Sequence, residues 1–351
     1  MAGWEKYIRQ VVPYVPGEQP EKTDMIKLNT NENPYPPAPG VKAALGALET
    51  DMLRLYPDPT AGTLVRALAE RYHLAPEQVF VGVGSDDVLA MAFLTFFNSE
   101  KPILFPDITY SFYAVWADLF RIPYEQPAVD ANFGIRPEDY YRENGGIVIA
   151  NPNAPTTVLM SLAQIEDILV HNQDVVVIVD EAYIDFGGDS ARGLIDKYDN
   201  LLVVQTFSKS RSMAGMRIGY AMGNPKMIKA MNDVKNSYNS YTLNRTSLAA
   251  GVAAVQDETY FKESVGKIMA TRERTAKRLR ELGFSFQDSY TNFIFATHER
   301  VPATELVAAL REKEIYVRYF KKPRIDNYLR ISIGTDEEMD VFLAFLEEYL
   351  Q

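Results

Sequence analysis

Between about residue 60 and residue 225 short apolar runs alternate with stretches in which apolar residues recur every three or four positions. The runs are VFVGVG (79–84), PILFP (102–106), GIVIAN (146–151), VVVIVDEAY (175–183) and LLVVQTFSK (201–209). Being short and apolar at successive positions, they predict strands buried on both faces. Between them, SDDVLAMAFLTFFN and SLAQIEDILVHN each open on a serine suited to an N-cap and then keep helical spacing. Strands alternating with helices predict an α/β fold, a large domain whose mostly parallel sheet is flanked by helices.

The pattern changes after residue 225. NPKMIKAMNDVKNSY and YFKESVGKIMATRERTAKRLRELGF read as helices, with Gly283 as a stop. SFQDSYTNFIFATH, VPATELVAALREKEIYVRYF, NYLRISIGT and DEEMDVFLAFLEEYL then read strand, helix, strand, strand, helix, a smaller α+β domain. The proline-rich segment NTNENPYPPAPG (29–40) predicts extended chain that joins an N-terminal arm to the large domain. The expected division is an arm over 1–35 packing with the small domain, a large domain over 36–250 and a small C-terminal domain over 251–351.

Composition narrows the chemistry. With 36 basic and 47 acidic residues in 351, the net charge of −11 gives no broad attraction for nucleic acid or an anionic membrane. Any anionic ligand must be held by a local cluster of cations. The absence of cysteine removes disulfides, thiolate nucleophiles and thiolate metal sites. The three histidines, His73, His171 and His298, lack a second histidine at ligand spacing, so no metal site is expected. MAGWEKYIRQVVPYVPG carries charges throughout rather than the apolar centre of a signal peptide, and no apolar run is long enough to span a bilayer. A soluble cytoplasmic protein is expected.

In doubly wound sheets ligands sit beyond the carboxyl ends of the strands. The strand ends here carry Gly84-Ser85-Asp86, Asn151 to Asn153, Asp180 to Tyr183 and Ser208-Lys209. A lysine amine can form a Schiff base with a carbonyl compound, and pyridoxal phosphate is the common partner. That cofactor needs donors for its phosphate, a carboxylate for its pyridine nitrogen and a donor for its phenolic oxygen. Arg217, eight residues past Lys209, can grip a phosphate bidentately. Ser208 and Thr206 add hydroxyls, and Ser85 sits where a helix N-terminus favours an anion. Asp180 would reach a pyridinium from a nearly dry strand end, and Tyr183 could serve the phenolic oxygen. Each group alone reads equally well as a cap or a loop residue. Their order on successive strand ends is what points to a cofactor site.

VVDEAYIDF, TFSKSRSMAGMRIGYAMGNP, KLNTNENPYPP, RLYPDP, VGVGSDD and FPDITYSFY together resemble the fold-type I pyridoxal-phosphate-dependent aminotransferases, nearest their histidinol-phosphate branch. The likeness runs from about Pro13 to Thr335. It implies that Lys209 is the Schiff-base lysine and proton shuttle, that Asp180 pairs with the pyridine nitrogen, that Tyr183 contacts the phenolic oxygen and that Tyr110 stacks on the ring. Ser85, Asp86, Ser208 and Arg217 match the phosphate cup. Tyr56 matches a tyrosine that reaches the neighbouring subunit's cofactor, which implies a homodimer. Tyr14, Asn31, Arg318 and Arg330 match substrate contacts, Arg330 for the amino donor's α-carboxylate and Arg318 for substrate phosphate.

One segment departs from the family pattern Asn-Pro-Asn-Asn-Pro-Thr-Gly. This chain has NPNAPTT, so Ala154 replaces the asparagine expected at the phenolic oxygen, leaving Tyr183, Asn151 or Asn153 to compensate. The resemblance implies transamination between L-histidinol phosphate and 2-oxoglutarate, giving imidazole acetol phosphate and glutamate. An aromatic aminotransferase or a threonine-phosphate decarboxylase would share the same cofactor residues. A nucleotide-binding oxidoreductase is suggested by VGVGSDD alone, with Asp87 standing where the third glycine of the fingerprint belongs. A cofactor-free binding or regulatory protein on the same fold has only Ala154 in its favour.

Overall fold

The structure, a computed structural model, describes residues 3–20 and 24–351. The chain enters through β1 (Ile26–Leu28), α1 (Pro39–Gly46), α2 (Gly62–Tyr72), β2 (Val79–Gly82) and α3 (Gly84–Phe96). It continues through β3 (Ile103–Leu104), α4 (Phe112–Phe120), β4 (Tyr124–Glu125), β5 (Gly146–Ala150), α5 (Leu162–His171), β6 (Val177–Asp180), β7 (Leu201–Thr206) and β8 (Gly219–Gly223). Three helices follow, α6 (Pro225–Tyr238), α7 (Arg245–Gln256) and α8 (Glu258–Glu281). The last part is β9 (Phe284–Ser285), β10 (Phe293–His298), α9 (Ala303–Glu312), β11 (Ile315–Tyr319), β12 (Leu329–Ser332) and α10 (Asp336–Tyr349).

A seven-stranded sheet has the order β2-β8-β7-β6-β5-β3-β4. The pairs from β4 through β7 are parallel, whereas β8 runs antiparallel to both β7 and β2. All of its strands but the edge strand β4 are buried on both faces, as continuous apolar runs require. Ile147, Ile149, Val177, Val179, Leu201 and Val203 pack toward α1, α2, α5 and α7, while Val148, Ile178, Leu202 and Val204 pack toward α3, α4 and α6. The period of two sends neighbouring residues of one strand into opposite layers.

The second sheet has five strands in the order β1-β11-β12-β10-β9. Apolar faces of α8, α9 and α10, including Ile268, Leu306 and Phe342, pack against its Ile294, Leu329 and Ile331. Its edge strand β1 comes from the start of the chain and pairs in parallel with β11, Ile26 opposite Ile315. Gly283, at φ +88°, ends the turn after α8 as its position predicts. Ser161 caps α5 with a reciprocal Gln164 contact, whereas α3 starts one residue before Ser85 and is capped otherwise: the Asp87 carboxylate accepts the Val83 N–H at 2.9 Å. Pro39 and Gly40, read as extended chain, open α1, where proline tolerates a first helical turn. Among the described residues no helix is long and apolar enough to cross a membrane, and no group of histidine, aspartate and glutamate could hold a metal ion.

Candidate active site

The parallel strands β5, β6 and β7 end on the same side of the large sheet, so Ala150 and Asp180 arrive side by side and Thr206 follows two residues beyond Asp180's partner Val204. Above them lies a cavity of about 780 Å³ that also meets β11, β12 and the segment around Asn29. Asp180 lines it with only 5% of its surface exposed. Its Oδ2 accepts the Tyr113 hydroxyl at 2.7 Å, and its Oδ1 is buried without a partner. Burial pushes the Asp180 carboxyl up to about 6, against the pull of Tyr113 and with a further push from Asp86. A carboxylate with an empty buried oxygen is costly unless a donor, best a cationic N–H, arrives to fill it.

Lys209 follows β7. Its Nζ donates to Thr30 O at 3.1 Å and lies 5.8 Å from the centre of the Tyr183 ring. The lysine loop is pinned from two sides, by Asn33 Nδ2 donating to Lys209 O at 3.0 Å and by Ser210 Oγ donating to Asp185. The Tyr183 hydroxyl accepts from Asn31 Nδ2 at 3.0 Å, and Asn31 is itself fixed through Ser332 and Asn292. The NTNEN segment therefore touches the lysine, the tyrosine and the small sheet together.

A second pole of the cavity is built for an anion. The N-terminus of α3 presents Gly84 and Ser85 beside Arg217. Gly84 has φ +82°, and a Cβ there would stand 2.5 Å from Arg217 Nη2. Gly219 is equally constrained, since its Cβ would meet Ser85 N at 2.3 Å. The Asp86 carboxylate accepts from Tyr110 at 2.9 Å and from Arg217 at 3.2 Å, which orients the guanidinium beside the helix end. Thr206 Oγ1 donates to Ser208 Oγ at 3.0 Å on the adjoining wall.

The opposite pole carries arginines. Arg318 and Arg330 face each other across β11 and β12, each 5.6 Å from the Phe320 ring. Arg318 donates to the carbonyls of Val15 and Pro16, and Arg330 to Asn29 O at 2.7 Å, with Arg330 Nε buried and unpartnered. Tyr14 stacks on Phe112 at 4.3 Å and closes this end. Neither arginine has a carboxylate partner among the described residues.

Of the candidate cofactor and substrate residues named from sequence, all but Asn151, Asn153 and Tyr56 line this one cavity. Asn153 does not: its amide donates to Ile108 O and Thr156, and its Oδ1 accepts from Thr109. Asn151 is likewise occupied, by the backbone of Met160. Both side chains thus hold their own loop, and Ala154 lines the cavity. Tyr56 is exposed and stacks on Tyr241 at 4.5 Å, away from the cavity of its own chain. Tyr113, Thr30 and Asn33, which bond Asp180 and the lysine loop, and Lys322, which lines the cavity, are not among the residues named from sequence. Tyr113 stands three residues past Tyr110 in the same motif, which was a usable signal; the Thr30 carbonyl leaves none in a sequence.

The model of the family described as Aminotransferase class I and II matches residues 23–346. A histidinol-phosphate aminotransferase of Lactococcus lactis subsp. cremoris is 53% identical over 348 residues, covering 99% of this chain and 98% of the relative. One from Acinetobacter baylyi is 52% identical, covering 96% and 94%. The crystal structure of histidinol-phosphate aminotransferase from Sinorhizobium meliloti in complex with pyridoxal-5'-phosphate superposes with a TM-score of 0.82 at 25% identity, covering 93% of this chain and 90% of that one. The L-threonine-O-3-phosphate decarboxylase of Porphyromonas gingivalis shares the fold at 20% identity and a TM-score of 0.77. With its strand-end lysine, its unpartnered aspartate oxygen and its two cationic poles in one cavity, this chain belongs to the class I and II aminotransferases.

Proposed function

We propose that the enzyme uses pyridoxal 5'-phosphate to exchange an amino group between L-histidinol phosphate and 2-oxoglutarate, giving imidazole acetol phosphate and glutamate. The observation that carries the reading is the single cavity in which Lys209 stands between an anion cup and an arginine pair. The 52–53% identity to histidinol-phosphate aminotransferases over nearly the whole chain supports this substrate class over the aromatic and decarboxylase readings.

The residues present fit the cofactor. The empty Asp180 Oδ1 suits a ring N–H, and the α3 N-terminus with Ser85, Ser208, Thr206 and Arg217 suits a phosphate, with Asp86 holding Arg217 in place. Tyr110 would lie against the ring and Tyr183 near the phenolic oxygen. When bound, pyridoxal phosphate supplies the carbonyl that captures an amine and a ring that accepts the electron pair released at the α-carbon. Asp180 keeps the ring nitrogen protonated. Lys209 Nζ would take up the proton from the substrate's α-carbon and hold it for delivery two atoms along, beyond the shared nitrogen. Arg330 holds an α-carboxylate, Arg318 a substrate phosphate, and Tyr14 and Asn31 shape the pocket between them. The remaining parts of the proposal are a cytoplasmic homodimer in which Tyr56 reaches the partner's site, and the division into arm, large domain and small domain near residues 35 and 250.

The absorbance spectrum of the purified protein tests this directly. A yellow band that shifts to the near ultraviolet on adding histidinol phosphate without keto acid is the expected result. A band that responds only to another amino donor would remove the substrate assignment, and no band after adding cofactor would remove the whole reading. Lys209→Ala is expected to abolish the covalent link and to lower turnover by at least about a thousandfold.

A further inference from the structure

We propose that Lys322 is a substrate contact that takes a carboxylate of the dicarboxylate partner, supplying the donor that the 150–155 wall of the cavity lacks; this rests on the aminotransferase reading above. That wall is lined by Ala150, Pro152, Ala154 and Pro155, none of which offers a side-chain donor. The amides of Asn151 and Asn153 are engaged within their own loop. Lys322 lines the same cavity from the loop after β11. Its Nζ donates to Asp107 O at 2.7 Å. The next two residues, Ile108 and Thr109, are both bonded to Asn153, the neighbour of Ala154. The ammonium is thus tied to the turn that carries the missing amide.

Among the described residues no carboxylate hydrogen-bonds this cation. The Asp107 side chain is taken by Arg324 at 2.8 Å, which leaves Lys322 with a backbone carbonyl. An ammonium has three hydrogens, so it can keep that carbonyl and still grip an incoming anion. Burial pulls its pKa below that of a free lysine against the opposing charge of Asp107, and a bound carboxylate would add to that opposition.

The choice of ligand follows from placement. Arg318 is anchored to Val15 and Pro16, on the arm side, whereas Lys322 is anchored to Asp107, on the large-sheet side. The two cations serve different ends of a bound molecule. A dicarboxylate brings two anionic groups and the phosphorylated amino alcohol only one, so the extra cation matters to the former.

The test is calorimetric titration of the holoenzyme with maleate, a dicarboxylate that cannot transfer an amino group, and separately with inorganic phosphate. Lys322→Met is expected to weaken maleate about tenfold and phosphate little, with Lys322→Arg retaining most of the affinity and the visible absorbance band unchanged in both. Unchanged maleate affinity in Lys322→Met, or a loss confined to phosphate, would overturn the proposal. Arg324 holds the same loop through Asp107, Val129 and Asp130 without lining the cavity. An equal loss in Arg324→Met would therefore assign the effect to loop position and also overturn it. A wild-type protein with no absorbance band after adding cofactor would sink the aminotransferase reading itself, a different failure from that of Lys322.

Discussion

Asp180 and Glu181 are adjacent, both carboxylates and both buried, yet their surroundings prepare them for different work. Glu181 is filled by Ser190 Oγ at 2.6 Å, Ala191 N at 2.6 Å and Gln205 Nε2 at 2.7 Å, and it stays outside the cavity. Burial still outweighs those donors and pushes its carboxyl up to about 7. A folded-state value above the unfolded one means that the folded protein binds the extra proton. Stability from this group is therefore full below about 4.5 and is lost as pH rises through about 7. Glu181→Gln is expected to flatten the fall in melting temperature of the cofactor-free protein between those limits, whatever its effect on absolute stability. Asp180 has the same sign over a lower window, from about 4 to about 6, because burial raises it from the lower starting value of an aspartate. Asp180→Asn is thus expected to stabilise the cofactor-free protein at pH 8 by about 1–3 kcal/mol while lowering turnover about a hundredfold or more. Melting curves and steady-state rates on one preparation separate the two effects.

At the level of elements, a glycine at the mouth of α3 decides how close Arg217 comes. Gly84→Ala would force a Cβ into the guanidinium and also strain a backbone at φ +82°. Cofactor affinity, measured by titrating stripped protein, is expected to fall at least about tenfold, with little change in overall fold. The strands that frame this site were legible because burial on both faces leaves unbroken apolar runs such as VVVIVD and LLVVQT. β8 was not, because GYAMG carries two glycines and follows the lysine loop with no turn signal that marks an antiparallel return. β1, three residues long and holding a lysine, has no pattern of its own; it is a strand because β11 is there to pair with it. The same division holds in the site. Lys209 and Asp180 stand out as charges at the ends of apolar strands and Arg217 by its short spacing from Lys209, whereas the contacts of Thr30, Asn33 and Asn153 depend on loops that meet only in three dimensions. The motif position of Asn153 suggests a ligand contact, while in the fold its amide bonds Ile108 and Thr156.

At the scale of the whole molecule, Tyr56 is 77% exposed and remote from its own cavity, which gives the homodimer a specific test. Tyr56→Ala is expected to weaken cofactor binding several-fold although no cavity residue has changed, and wild-type cofactor affinity is expected to decline on dilution below the dimer's dissociation constant. Sedimentation at the same concentrations supplies the check. The pairing of β1 with β11 joins residue 26 to residue 315, and the intervening chain includes the entire large sheet. During synthesis that sheet can be complete while the NTNEN segment still has no small sheet to rest on. A ribosome would thus expose Lys209 in a folded half with its nearest clamp undone, and the amine would gain its Thr30 neighbour only when the last strands left the exit tunnel.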